Sequence, residues 1–153
     1  MRLDDAAAAL DAAEFFDICD HEQKRLLAFS SERRVFEPDQ VICQGDVVPE
    51  GAHVLIEGTL RAKPEGTIAG KPYAISAPGS VVSAMALILA KPRLITVSAV
   101  TEAEMLFVPR VAFLKLIGQS PDLAARVAAH IQSDLGRYIS ALEPIRRKMR
   151  GDR

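Results

Sequence analysis

The chain has 153 residues, 49% of them hydrophobic and 25% charged, with 19 Lys and Arg against 20 Asp and Glu. That length makes about one domain with a sizeable core, and a formal net charge of −1 excludes an overall electrostatic pull towards nucleic acid or a membrane surface. No apolar run approaches a membrane span. Asp4 and Asp5 stand where a signal peptide would carry a basic start and an apolar core. Cys19 and Cys43 make no CxxC or Cys/His spacing, which points to two half-buried thiols in a reducing cytoplasm.

In chain order, residues 3–16 are alanine-rich, with Leu3, Leu10, Phe15 and Phe16 as the larger apolar groups, and Asp4 and Asp5 suit a helix N-terminus. Asp20 with Gln23 three residues on forms a capping box for a second helix through Leu26, Leu27 and Phe29. Residues 33–36 read as a strand, 37–40 as a turn set by Pro38, and 41–43 as a strand ended by Gly45 and Asp46. Further strands are predicted over 59–62, 73–76, 94–100 and 104–108, with a loop at Pro64-Glu65-Gly66 and a turn at Pro78-Gly79. Residues 81–89 contain Ala, Met and Leu and predict one or two helical turns. Many short strands with turn signals between them argue for an all-β sandwich or barrel, here with helices at both ends.

Residues 111–117 give a short helix, and Ser120-Pro121 supplies an N-cap and a first-turn proline for a long amphipathic one. That helix carries Ala124, Ala128, Ile131, Leu135, Tyr138 and Leu142 at spacings of four and three. So narrow a seam fits a homodimer contact through the C-terminal helix better than packing on the body of the domain. Pro144 breaks or kinks it, and the basic run Arg146, Arg147, Lys148, Arg150 and Arg153 reads as a solvated end.

One stretch, 77–99, combines a backbone anion site with a fixed charge. The free amides of a short helix's first turn and the Arg93 guanidinium converge there on a phosphate, with Lys91 as a lesser second charge. Elsewhere the chemistry is sparse. His21, His53 and His130 have no ligand-spaced Cys or carboxylate, so they read as structural and no metal is expected. No G-x-S-x-G or HExxH motif occurs, and Glu57 has no acid or base partner. An enzyme is not expected.

Ala86-Leu87, Pro92-Arg93, Thr96-Val97 and Ala99 resemble the phosphate-binding cassette of cyclic nucleotide-binding domains, the family of the catabolite activator protein. FEPDQVICQGD at 36–46 and HVLIEG at 53–58 resemble the opening strands and hairpin glycine of the same family. The resemblance implies a mainly β fold: a double-stranded β-helix, or jelly-roll-like β-roll, with N-terminal helices and a long C-terminal helix. It implies helical residues 1–30, a β-roll over 31–109 holding the cassette at 79–99, C-terminal helices over 110–143 and a basic tail at 144–153.

The same resemblance implies a ligand-binding set of Ser83, Ala84, Met85, Ala86, Arg93 and Leu94, with Arg93 on the phosphate of cyclic AMP or cyclic GMP. The family opens its cassette with Phe-Gly-Glu, in which Glu accepts from the ribose hydroxyl; here those positions are Val82, Ser83 and Ala84. Ser83 adds a Cβ that narrows the pocket, and Leu94 and Ile95 replace a small hydroxyl residue and Ala. Two functions are therefore expected to compete. One is a stand-alone cyclic nucleotide-binding-like regulatory module for a cyclic nucleotide or another small phosphorylated ligand. The other is a ligand-free interaction or scaffold protein whose pocket Leu94 and Ile95 fill. Family members that bind DNA carry a helix-turn-helix after the long helix, and residues 145–153 are too few for one, so sequence-specific DNA binding by this chain is not expected.

Overall fold

The structure, a computed structural model, describes residues 2–65, 70–92 and 94–131. Two compact units divide it, one ending at Gln119 and one beginning at Ser120.

In the first unit α1 (Leu3–Ala12) buries Ala6, Ala7 and Leu10 along one stripe, with Asp4 and Asp5 in its first turn. The helix expected to reach residue 16 stops at Ala13, whose φ of −94° and ψ of 114° are extended. A 3-10 turn follows over Glu14–Ile18. The cause is tertiary: the break swings Phe16 inwards to full burial, where it meets Phe113 of α3 (Arg110–Gln119) edge-to-face with ring centroids 6.4 Å apart. α2 (His21–Ser30) begins as its capping box requires. Asp20 Oδ1 accepts from the Gln23 amide, and Gln23 Oε1 accepts from the Asp20 amide, both at 2.8 Å.

Eight strands among the described residues follow: β1 (Glu32–Phe36), β2 (Val41–Cys43), β3 (Gly51–Glu57), β4 (Leu60–Pro64), β5 (Tyr73–Ile75), β6 (Val81–Val82), β7 (Ile95–Ala99) and β8 (Ala103–Pro109). They form two antiparallel sheets, β1-β8-β3-β6 and β2-β7-β4-β5. One core joins the inner faces, with Phe36, Leu55, Val82 and Met105 from the first sheet against Leu60, Ala62, Val97 and Ala99 from the second. β4 alternates strictly, Leu60 and Ala62 buried between exposed Arg61 and Lys63. β3 and β8 are buried on both faces, because α1, α2 and α3 pack on the outside of their sheet. This is the mainly β roll with flanking helices that the sequence implied.

The helical turns expected over 81–89 are shorter than that. Val81 and Val82 pair with β3 as strand β6, and only Ala84–Leu87 forms a 3-10 turn. Burial of Val82 in the inter-sheet core outweighs any helical preference there.

In the second unit a helix runs over 121–131, to the end of the described residues. The Ala124 amide donates to the Ser120 carbonyl at 3.0 Å, and the Leu123 amide lies 3.4 Å from Ser120 Oγ, the expected cap in a loose form. Of the expected seam, Ala124, Ala128 and Ile131 are described; Leu135, Tyr138 and Leu142, and the basic tail, lie outside the described residues.

Candidate functional site

A cavity of about 150 Å³ opens between the sheets. Strand register explains its wall. Leu55 and Met105 face the core, so His53, two residues before Leu55, and Phe107, two residues after Met105, share that inner face and stand opposite one another. Arg34 is opposite Met105 and faces inward as well. Ile42, Cys43 and Ile95 close the cavity from the other sheet, and Ser83 borders it beside the 3-10 turn.

Arg34 organises one side. Its guanidinium carbon lies 3.7 Å from the centroid of the Phe107 ring, a cation–π contact, and Nη1 lies 3.3 Å from His53 Nε2. Nε and Nη2 donate to Glu32 Oε1 at 2.7 and 2.6 Å. A guanidinium has donors only, so Nε2 of His53 accepts and the ring proton sits on Nδ1. That Nδ1–H is buried and has no partner among the described residues. Leaving it so costs about 1–3 kcal/mol. Burial, and then the Arg34 charge, lower the His53 pKa from 6.5 to about 4, which keeps the ring neutral near pH 7.

The expected site residues fall unevenly around this cavity. Ser83 lines it, 9% exposed, with Oγ 3.7 Å from Cys43 Sγ. Its φ of 62° and ψ of 46° are left-handed, a conformation that glycine adopts freely and a residue with a Cβ does not. The backbone thus keeps a glycine-like bend at the position where the sequence departs from glycine. Ala84, Met85 and Ala86 form the adjoining turn without lining the cavity, and Ala86 is buried. Leu94 is 43% exposed and does not line it, so the expected filling of the pocket by Leu94 does not occur; Ile95 alone of that pair reaches the wall. Arg93 lies outside the described residues.

Sequence reasoning missed Arg34 and His53, which it read as an ordinary strand residue and a structural histidine. The signal available was a charge and an imidazole in register with inward apolar neighbours, Arg34 before Phe36 and His53 before Leu55. Arg110, the first residue of α3, was missed too. Its Nη1 donates to the Pro49 carbonyl at 2.7 Å and the Ala86 carbonyl at 3.2 Å, joining the cavity's loop, the turn and the helix.

Residues 33–120 match the family model of the cyclic nucleotide-binding domain. A cyclic nucleotide-binding-like protein from Brucella abortus is 27% identical, with 74% of this chain and 98% of that one covered and a TM-score of 0.64. The sensor domain of the transcriptional regulator DNR from Pseudomonas aeruginosa shares the fold at 14% identity, with 92% and 95% covered and a TM-score of 0.73. The catabolite activator protein of Thermus thermophilus does so at 20% identity, with 86% of this chain and 62% of that one covered and a TM-score of 0.68. No curated protein matches. With a roll of two four-stranded sheets, a short turn after a left-handed residue, and a family match over more than half its length, the chain belongs to the cyclic nucleotide-binding domain family.

Proposed function

We propose that this domain is a regulatory, non-enzymatic module that takes a small phosphorylated ligand between its sheets and passes the event to its C-terminal helices. The observation that carries this is the cavity bordered by Ser83: the roll is not filled, and the bend that opens the cassette is held although a serine must adopt it. Arg93 is the phosphate partner in this reading, with Ser83, Ala84, Met85 and Ala86 presenting the backbone of the turn. Related folds include the regulatory domain of Toxoplasma gondii PKA in a co-crystal with cAMP, 20% identical with a TM-score of 0.67, which supports the ligand class.

Cyclic AMP and cyclic GMP bind weakly in this reading. About 150 Å³ is below the roughly 300–1,000 Å³ of pockets for drug-sized ligands, Ala84 cannot accept from a ribose hydroxyl, and Leu94 cannot donate to phosphate. The loss is on the order of 2–4 kcal/mol, roughly thirty- to a thousandfold in affinity. The triple change Ser83→Gly, Ala84→Glu and Leu94→Ser is expected to tighten cyclic nucleotide binding in calorimetry, and a further Arg93→Ala to abolish the gain. Low-micromolar binding of cyclic AMP by the native chain would refute the weight placed on Ala84 and Leu94.

Ile95, which lines the cavity while packing on the core, favours the second reading, a ligand-free scaffold. Silence of the restored variant towards every nucleotide selects that reading. In either case the module acts as a homodimer through the helix that starts at residue 121, with Leu135 in the seam, and in a cytoplasm that suits its two thiols. Leu135→Glu is expected to turn a sedimenting dimer into a monomer. No helix among the described residues is long and apolar enough to cross a membrane.

A further inference from the structure

The inner face of a β-sandwich is apolar by default, because every polar group placed there needs a partner. The first sheet departs from that at Arg34 and His53, and both line the cavity. Arg34 is committed, with Nε and Nη2 on Glu32 and Nη1 against His53. His53 is half committed: Nε2 faces Arg34, while Nδ1–H meets no acceptor among the described residues. The arginine therefore selects the tautomer of the resting ring and leaves a buried donor unpartnered on its other nitrogen. Among the described lining residues the charged ones are Arg34 and Glu50, opposite in sign, and Glu32 already neutralises Arg34. These residues offer no free charge to an anion, whose partner in the proposed reading is Arg93, so this wall suits an uncharged part of the ligand. Ile42, Val47 and Phe107 add apolar surface.

We infer that His53 is a specificity-determining residue of this cavity, and that it selects an uncharged planar group whose in-plane ring nitrogen or conjugated carbonyl accepts from Nδ1–H. The inference rests on the cavity's being a ligand site and adds which chemical group is recognised there. A single ring fits, since about 150 Å³ is the size of an engineered protein cavity that takes benzene. The N–H is buried in the wall, out of reach of water, and an acceptor meets it as the imidazole turns about Cβ–Cγ, a broad torsion, and gives up its 3.3 Å contact with Arg34.

Pyridine and benzene, nearly equal in shape, separate the donor's contribution from simple filling. In the full chain at about pH 8, with the His53 ring nitrogens followed by NMR, pyridine is expected to bind about tenfold more tightly than benzene, the value of one good hydrogen bond, and to move the Nδ1 resonance. His53→Phe should erase the preference, and His53→Gln, which keeps a donor, should restore part of it. Equal binding of the two rings overturns the inference, as does an Nδ1 resonance that pyridine leaves unmoved or a failure of both rings to bind; these native-chain readings do not depend on either variant folding. Calorimetry with cyclic AMP separates the two levels. If cyclic AMP binds the native chain and His53→Phe alike, the role given to His53 falls while the ligand-site reading stands. If neither the rings nor phosphorylated ligands bind, both fall.

Discussion

Arg110 donates to the Ala86 carbonyl at 3.2 Å, so the first residue of α3 holds the turn that carries Ala84, Met85 and Ala86. The same Nη1 reaches the Pro49 carbonyl at the cavity wall, so one side chain ties both segments to the start of the helix. Arg110→Ala removes both bonds at an expected cost of about 1–3 kcal/mol. Hydrogen exchange at the Ala86 and Ile88 amides, which close the turn onto the Ser83 and Met85 carbonyls, should quicken in a chain that stays folded. Unchanged exchange at both would mean that the turn stands without the arginine.

Acid should act on stability through His53. The folded chain holds this imidazole's pKa at about 4, whereas the unfolded chain takes up the proton near 6.5. Protons therefore favour unfolding between those values: the stability is fully present above about pH 6.5, falls as pH drops towards 4, and levels off below. The shift corresponds to about 3 kcal/mol. Urea titrations at several pH values should show this extra slope in the native chain and not in His53→Phe, with carboxylate effects common to both. Parallel curves for the two proteins would assign the slope elsewhere.

Ser83 adopts its left-handed backbone at a cost of about 1–2 kcal/mol. Ser83→Gly should return roughly 1 kcal/mol, since glycine's greater freedom in the unfolded chain offsets part of the gain. The denaturation midpoint should rise at constant slope. A fall would show that the Oγ contact with Cys43 Sγ outweighs the backbone term.

Gly79 combines a φ of +91° with a backbone so close to α1 that a Cβ would overlap the Ala12 carbonyl. Gly79→Ala should destabilise by more than about 1 kcal/mol, because strain and collision act together. A variant that melts with the native chain would mean that the loop and the end of α1 separate without loss.

Local chemistry alone determined the parts of this protein that neighbours in sequence decide. Asp20 and Gln23 satisfy each other's amides within one helical turn, and Pro78-Gly79 makes its turn wherever it lies. β4 declares its inward face through Leu60 and Ala62, and the cassette residues from Ala86 to Ala99 carry the family in their order. Tertiary structure decided what depends on distant partners. Phe113 draws Phe16 inward and ends α1 early, and β3 takes Val81 and Val82 into a strand. The site itself was least legible. Arg34 and His53 share a wall only because β1 and β3 flank β8 in register; each strand's alternation tells which way its own residue faces, but not which distant strand stands beside it.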